Sequence, residues 1–122
     1  MRSRGQNQDL ENLRMTIDEI RQLVRAGRYE VSMHAQQERL EDDLDIDEIE
    51  AALLQGELVE EYPNDPRGPS CLVGGLVGAK SIHVVLGWAT RKQQIERILR
   101  VITVYTPRPP KWKDLRTRGT KP

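Results

Sequence analysis

Apolar residues recur at helical spacing in the first half of the chain and in short runs in the second. Ile17, Ile20, Leu23 and Val24 fall three and four apart, which places them on one face of a helix. Thr16 followed by Glu19 is a capping-box pattern, and Gly27 supplies the stop. Residues 28–31 read as a short extended link. Ser32 then caps a second helix that opens with Met33, His34 and Ala35 and runs to about Leu40. After an acidic turn over 41–44, Asp45 and Glu48 repeat the capping box. Ile46, Ile49 and Leu53 line one face of that third helix, and Gly56 ends it.

Beyond position 57 the pattern predicts strands over 58–62, 71–76, 82–88 and 98–105, separated by turn residues. Pro63, Pro66 and Pro69 stiffen the first connection, a turn near Gly78 and Lys80 forms the second, and residues 90–97 read as a polar, exposed hairpin tip. The last run is apolar on both faces apart from Arg100 and Thr103, as in a central strand covered on two sides. On strict alternation Thr103 and Tyr105 project to the same side as Leu99 and Val101. Pro107, Pro109 and Pro110 end the strand, and the basic tail from Lys111 is expected to be only partly packed. Helices followed by a meander of strands predict an α+β fold, with N-terminal helices packed on a small antiparallel sheet. A chain of 122 residues suits one core. The expected organisation is a single domain over 15–118, a flexible lead-in over 1–14 and a flexible tail over 119–122.

There is no Phe, so Leu, Ile, Val and Ala must fill the core. No run approaches the roughly 18 apolar residues of a membrane span, and the polar start lacks a signal-peptide stretch. A cytoplasmic protein without a membrane partner is the expectation. The lone Cys71 forms neither an internal disulfide nor a cysteine-based zinc site.

A net charge of zero hides a strong segregation. Residues 30–66 carry thirteen acids against Arg39, and residues 67–122 carry twelve bases against Glu96 and Asp114. Only the C-terminal half could therefore offer phosphates a basic surface. The plain alternative is that both charge sets are solvated faces.

Two histidines can exchange protons near neutrality. His34 sits near a helix start, four residues before Glu38, a spacing at which the carboxylate can orient the imidazole. Arg39 lies about 140° round the helix from His34. His83, in a strand, has as its alternative reading a half-buried histidine satisfied by a backbone carbonyl. Thr103 and Tyr105 carry hydroxyls that suit a phosphate or the core edge, and a structural role is the simpler one for Tyr105. Arg67, in the proline-stiffened loop, and Arg100, on an apolar strand, can each clamp an oxyanion. Arg100 can equally pair with a carboxylate from 38–61. Gly74, Gly75 and Gly78 lack the following helix and lysine of a phosphate loop. Ser70 and Cys71 have no adjacent base, which disfavours a serine or cysteine hydrolase.

The string Tyr29-Glu30-Val31-Ser32-Met33-His34-Ala35, then Glu38-Arg39, then 48–52 to Gly56, then 62–68, then Ser70-Cys71-Leu72, then 82–85 and 102–105 resembles the uncharacterised bacterial family of unknown function numbered 4258. The likeness covers roughly residues 16–118. That family is similar in architecture to the RelE-like and MqsR-like ribonuclease toxins, and its members often look like partners of YgiT-type zinc-finger antitoxins. The resemblance implies a RelE-like fold, membership of a toxin–antitoxin pair, an RNA substrate and a YgiT-type partner. Its Ser-x-His-Ala motif falls on Ser32, His34 and Ala35, its arginine on Arg39, its strand histidine on His83 and its closing Thr-x-Tyr on Thr103 and Tyr105. The implied activity is endoribonucleolytic and needs no metal or cofactor. His34 and His83 share the acid and base roles, with Arg39 and Tyr105 in the catalytic set and Arg67, Arg100 and Thr103 on phosphate. The rival is a non-catalytic protein-interaction module with an acidic helical face. The chain departs from the strongly basic character of many ribonuclease toxins, and the sequence leaves the oligomeric state open.

Overall fold

The computed structural model describes residues 15–88 and 90–119. The elements are α1 (Ile17–Arg25), β1 (Tyr29–Val31), α2 (Met33–Glu41), α3 (Ile46–Gln55), β2 (Glu57–Tyr62), β3 (Ser70–Val77), β4 (Lys80–Trp88), α4 (Arg91–Glu96) and β5 (Leu99–Tyr105). The expected lead-in over 1–14 and the tail residues 120–122 lie outside the described residues.

The helix starts form as the cap patterns predict. Thr16 Oγ1 accepts from the Glu19 N–H at 3.1 Å, and Ser32 Oγ accepts from the Ala35 N–H at 3.0 Å. Asp45 and Glu48 close a reciprocal box, at 2.8 and 3.0 Å. Each satisfies a helical N–H that has no partner within its own helix.

Two features depart from the predicted layout. The sheet is mixed, in the order β1-β5-β4-β3-β2, with β1 parallel to β5 and every other pair antiparallel. The expected extended link is thus an edge strand, in register from Tyr29 opposite Leu99 to Val31 opposite Val101. The helices are also not confined to the N-terminal half, because the expected hairpin tip contains α4. Thr90 Oγ1 caps that turn by accepting from the Gln93 N–H at 3.0 Å, and Arg97 closes it in the left-handed conformation. A Thr-initiated stretch free of Gly and Pro meets the local conditions for a helix as well as those for a polar loop.

One sheet face carries Val73, Ile82, Val84, Leu86, Trp88, Leu99, Val101 and Val104, which join Ile20, Leu23, Val24, Ile49 and Leu53 of the helices in the main core. Helix α3 rests so closely on β3 that a Cβ at Gly75 would stand 2.8 Å from Ala52 Cα. The opposite face carries Leu72, Gly74, His83 and Tyr105 and is covered by the C-terminal segment 107–119. Trp112 is 1% exposed and Leu115 7%. The tail expected to be only partly packed therefore forms a second, smaller layer.

A register shift between Val85 and Leu86 leaves Ile102 without a cross-strand partner. One extra residue resets the alternation, so Thr103 pairs with Val85 and Tyr105 with His83. Thr103 and Tyr105 consequently lie on the face opposite Leu99 and Val101, reversing the expected sidedness.

The two charge sets meet inside the molecule. Among the described residues, six ion pairs join the acidic stretch to the basic half: Glu30–Arg100, Asp42–Arg108, Glu48–Lys80, Glu57–Arg116, Glu60–Arg118 and Asp65–Arg67. No helix among the described residues is long and apolar enough to cross a membrane.

Candidate functional site

Strand β1 ends after three residues, leaving the outer edge of β5 without a strand beyond Val101. Helix α2 takes its place. The Ser32 N–H donates to the Val101 carbonyl at 3.0 Å, and Ser32 Oγ donates to the Ile102 carbonyl at 3.0 Å. Glu38 Oε1 accepts from the Val104 N–H at 3.1 Å, and Asp42 Oδ2 from the Thr106 N–H at 2.8 Å. Side chains thus supply the bonds that a longer edge strand would have made. This anchoring fixes the start of α2 beside β5. His34 stands there with its side chain 66% exposed and its Nε2 3.3 Å from Glu38 Oε2.

A cleft of about 470 Å³ opens between the start of α2, the end of the β4–β5 ladder and the 63–69 loop. Ser32, His34, Arg67, Arg100, Ile102 and Thr103 line it. Arg67 is held by two bonds to Asp65, at 3.2 and 3.1 Å, and Asp65 also accepts from the Ser70 hydroxyl at 3.0 Å. The Arg67 guanidinium, helped by its own backbone N–H, brings the Asp65 carboxyl down to about 2. Arg100 lies 3.5 Å from Glu30 Oε1, its opposite number in the parallel register, so its carboxylate partner lies outside the expected 38–61 stretch. Gly87 faces Arg100, and a Cβ there would come within 2.8 Å of Ile102 Cδ1.

Four expected site residues therefore converge: His34, Arg67, Arg100 and Thr103. The other three lie elsewhere. Arg39 bonds Gln36 Oε1 at 2.6 Å and the Leu44 carbonyl at 3.4 Å, so it braces the turn between α2 and α3 instead of lining the cleft. His83 is 0% exposed. Its Nε2 lies 2.6 Å from the Leu115 carbonyl, which accepts only, so Nε2 carries the proton and Nδ1 accepts from the Tyr105 hydroxyl at 3.2 Å. Trp112 packs edge-on against the ring with centroids 4.4 Å apart. Burial holds the imidazole below its ordinary value, opposed in part by the Leu115 carbonyl and Glu60. Burial likewise raises the Tyr105 hydroxyl. The pairing of His34 with His83 is thus not assembled in this structure, and His83 is satisfied by a backbone carbonyl beneath the 107–119 segment.

Ser32 as a cleft wall, Glu30 as the partner of Arg100 and Asp65 as the anchor of Arg67 emerge only with the fold. An aspartate two residues before an arginine in a proline-rich loop is a local turn signal that could have exposed the last of these. The others depend on the parallel pairing of β1 with β5, for which no short-range signal exists. Among the described residues, no cluster of three or more His, Cys, Asp or Glu side chains could hold a metal ion.

The described residues define an α+β domain with four helices, a five-stranded mixed sheet and an open cleft that gathers an imidazole, two guanidinium groups and hydroxyls. Residues 31–106 match the family described as "Domain of unknown function (DUF4258)", and the chain belongs to that family. The matched region runs from the end of β1 through β5, so it contains the cleft and His83 and leaves α1 and the 107–119 segment outside. No match was found among curated proteins or among solved structures.

Proposed function

We propose that this chain is a RelE-like toxin of a toxin–antitoxin pair, acting as a metal-independent endoribonuclease centred on His34. The convergence of His34, Arg67, Arg100 and Thr103 on one open cleft carries this reading, because these residues come from a helix start, a loop and a strand far apart in sequence. With Nε2 turned to Glu38, His34 has Nδ1 available to take the proton of an RNA 2′-hydroxyl. The 2′-oxygen then bonds phosphorus as the bond to the 5′-oxygen breaks, and water in the open cleft protonates that leaving oxygen. Arg67 and Arg100 offset the charge that develops on phosphorus, and the Thr103 hydroxyl donates to a phosphate oxygen. A YgiT-type zinc-finger antitoxin is the partner proposed for this toxin.

The test is cleavage of a mixed-sequence labelled RNA with chelator present. The parent should leave 2′,3′-cyclic phosphate ends, and a folded His34→Ala variant should lose about 10²-fold or more of the rate. Equal cleavage by the two proteins would remove His34 from the chemistry. Because His34 is exposed, its removal should change stability by less than about 0.5 kcal/mol.

One observation favours a second reading, a non-catalytic interaction module. Met33 and Leu40, seven residues apart on α2, are 76% and 69% exposed along one stripe. An inert parent that binds a protein partner, and loses it on Met33→Asp, would support this reading over the nuclease.

A further inference from the structure

The second face of the sheet carries a row of cross-strand pairs that continues across the bulge at Ile102. Gly87 faces Arg100, Val85 faces Thr103, and His83 faces Tyr105. Arg100 and Thr103 open into the cleft. The last pair is roofed. Trp112 packs on His83, the Leu115 carbonyl accepts from its Nε2, and the Lys111 ammonium stands 5.8 Å from the centre of the Tyr105 ring.

The roof is lightly attached. Within 107–119, Trp112 and Leu115 are the buried side chains, and both lie outside the main core cluster. The segment's regular pairing is one isolated bridge between Trp112 and Arg118. Arg108, Arg116 and Arg118 tie it to Asp42, Glu57 and Glu60 through charge pairs whose arginines are half-exposed or more. Exposed ion pairs hold weakly and yield to salt. Apart from the buried bond between the Leu115 carbonyl and His83, the polar ties are solvent-exposed, and a segment with few buried apolar contacts and such ties opens before the rest of a fold.

We infer that residues 107–119 form a strap closing one half of a groove whose other half is the open cleft, and that its release aligns His83 and Tyr105 with His34, Arg100 and Thr103. The consequence for activity rests on the ribonuclease reading above. With the strap closed, His34 is the one imidazole at the cleft. With it open, either His83, once its exposed ring has taken a proton from solvent, or the Tyr105 hydroxyl protonates the leaving 5′-oxygen, while His34 accepts the 2′-hydroxyl proton. Bonds and protons balance as before, with a side chain replacing water as the acid. The strap is then an inhibitory cover.

The test compares the full-length parent with an Arg116→Glu/Arg118→Glu double variant, which turns two attractive ties repulsive. Three quantities are read: amide exchange at Trp112, Lys113 and Gly119 against Val84 and Val104, carbethoxylation of His83 by diethyl pyrocarbonate, and RNA cleavage. The strap amides should exchange about tenfold faster with the two sheet amides unchanged, His83 should become reactive, and cleavage should rise. Adding Glu57→Arg and Glu60→Arg restores opposite charges and should return all three to parental values, which general misfolding would not do. The parent in high salt should behave as the double variant does in exchange and His83 reactivity, without any substitution.

Strap amides that exchange only together with Val84 and Val104 in both proteins would show the segment to be inseparable from the fold and overturn the inference. So would a His83 that stays unreactive when the strap amides are free, or cleavage that falls on release. If the strap opens and exposes His83 while both proteins leave RNA intact, the cover stands and the ribonuclease reading fails.

Discussion

His83 can gain a proton only by rearranging a bond, because its Nε2–H already donates to Leu115 and its Nδ1 accepts from Tyr105. Burial penalises the charged ring, the Leu115 carbonyl and Glu60 of β2 oppose that penalty, and Arg118 and Lys111 of the strap add to it. When the strap lifts, the ring returns toward an ordinary value of about 6.5. The folded value is the lower one, so docking is at full strength above about pH 6.5 and weakens as the pH falls below it. Protection of the Trp112 and Gly119 amides, taken relative to their intrinsic exchange rates at each pH, should therefore fall between pH 7.5 and 5 while that of Val84 is kept. Insensitivity to pH would mean that His83 does not fasten the strap. At Gly87 an added methyl meets the mobile end of Ile102, which can move aside. Gly87→Ala should thus leave stability within about 1 kcal/mol and lower RNA cleavage by narrowing the cleft floor. A thermal melt and a cleavage rate separate the two effects.

The helices of the N-terminal half were legible because their starts are encoded within four residues. Thr16, Ser32 and Asp45 each bond a nearby N–H, and nothing distant is needed to place them. Asp45→Ala should cost about 1 kcal/mol in denaturant unfolding. Ser32→Ala should cost more, since it removes both a cap and the bond to the Ile102 carbonyl. β1 was not legible, because Tyr29, Glu30 and Val31 are too few to show a period and their partner lies far along the chain. The bulge at Ile102 was equally hidden, and it alone decides which way Thr103 and Tyr105 face. Four members of the site could therefore be named from residue type and motif, whereas their convergence depended on pairing that no local pattern records. For His83 the strand position already offered a histidine satisfied by a backbone carbonyl, and packing supplies which one, that of Leu115.

The segregation of acids and bases along the sequence is resolved in three dimensions as mutual pairing, with β2 and the strap zipped through Glu57–Arg116 and Glu60–Arg118. Salt should act unevenly on such a molecule. At about 1 M ionic strength, where screening acts within roughly 3 Å, strap amides should lose protection long before those of β4. Uniform loss would show that these pairs hold the whole fold. The parallel contact between β1 and β5 has a further consequence during synthesis. Tyr29 leaves the ribosome long before Leu99, so the N-terminal helices must wait for the last strand before the sheet edge that anchors them exists. Until then the apolar faces of α1 and α3 lack much of their floor, and the nascent chain depends on its acidic helical surface to stay apart from its neighbours.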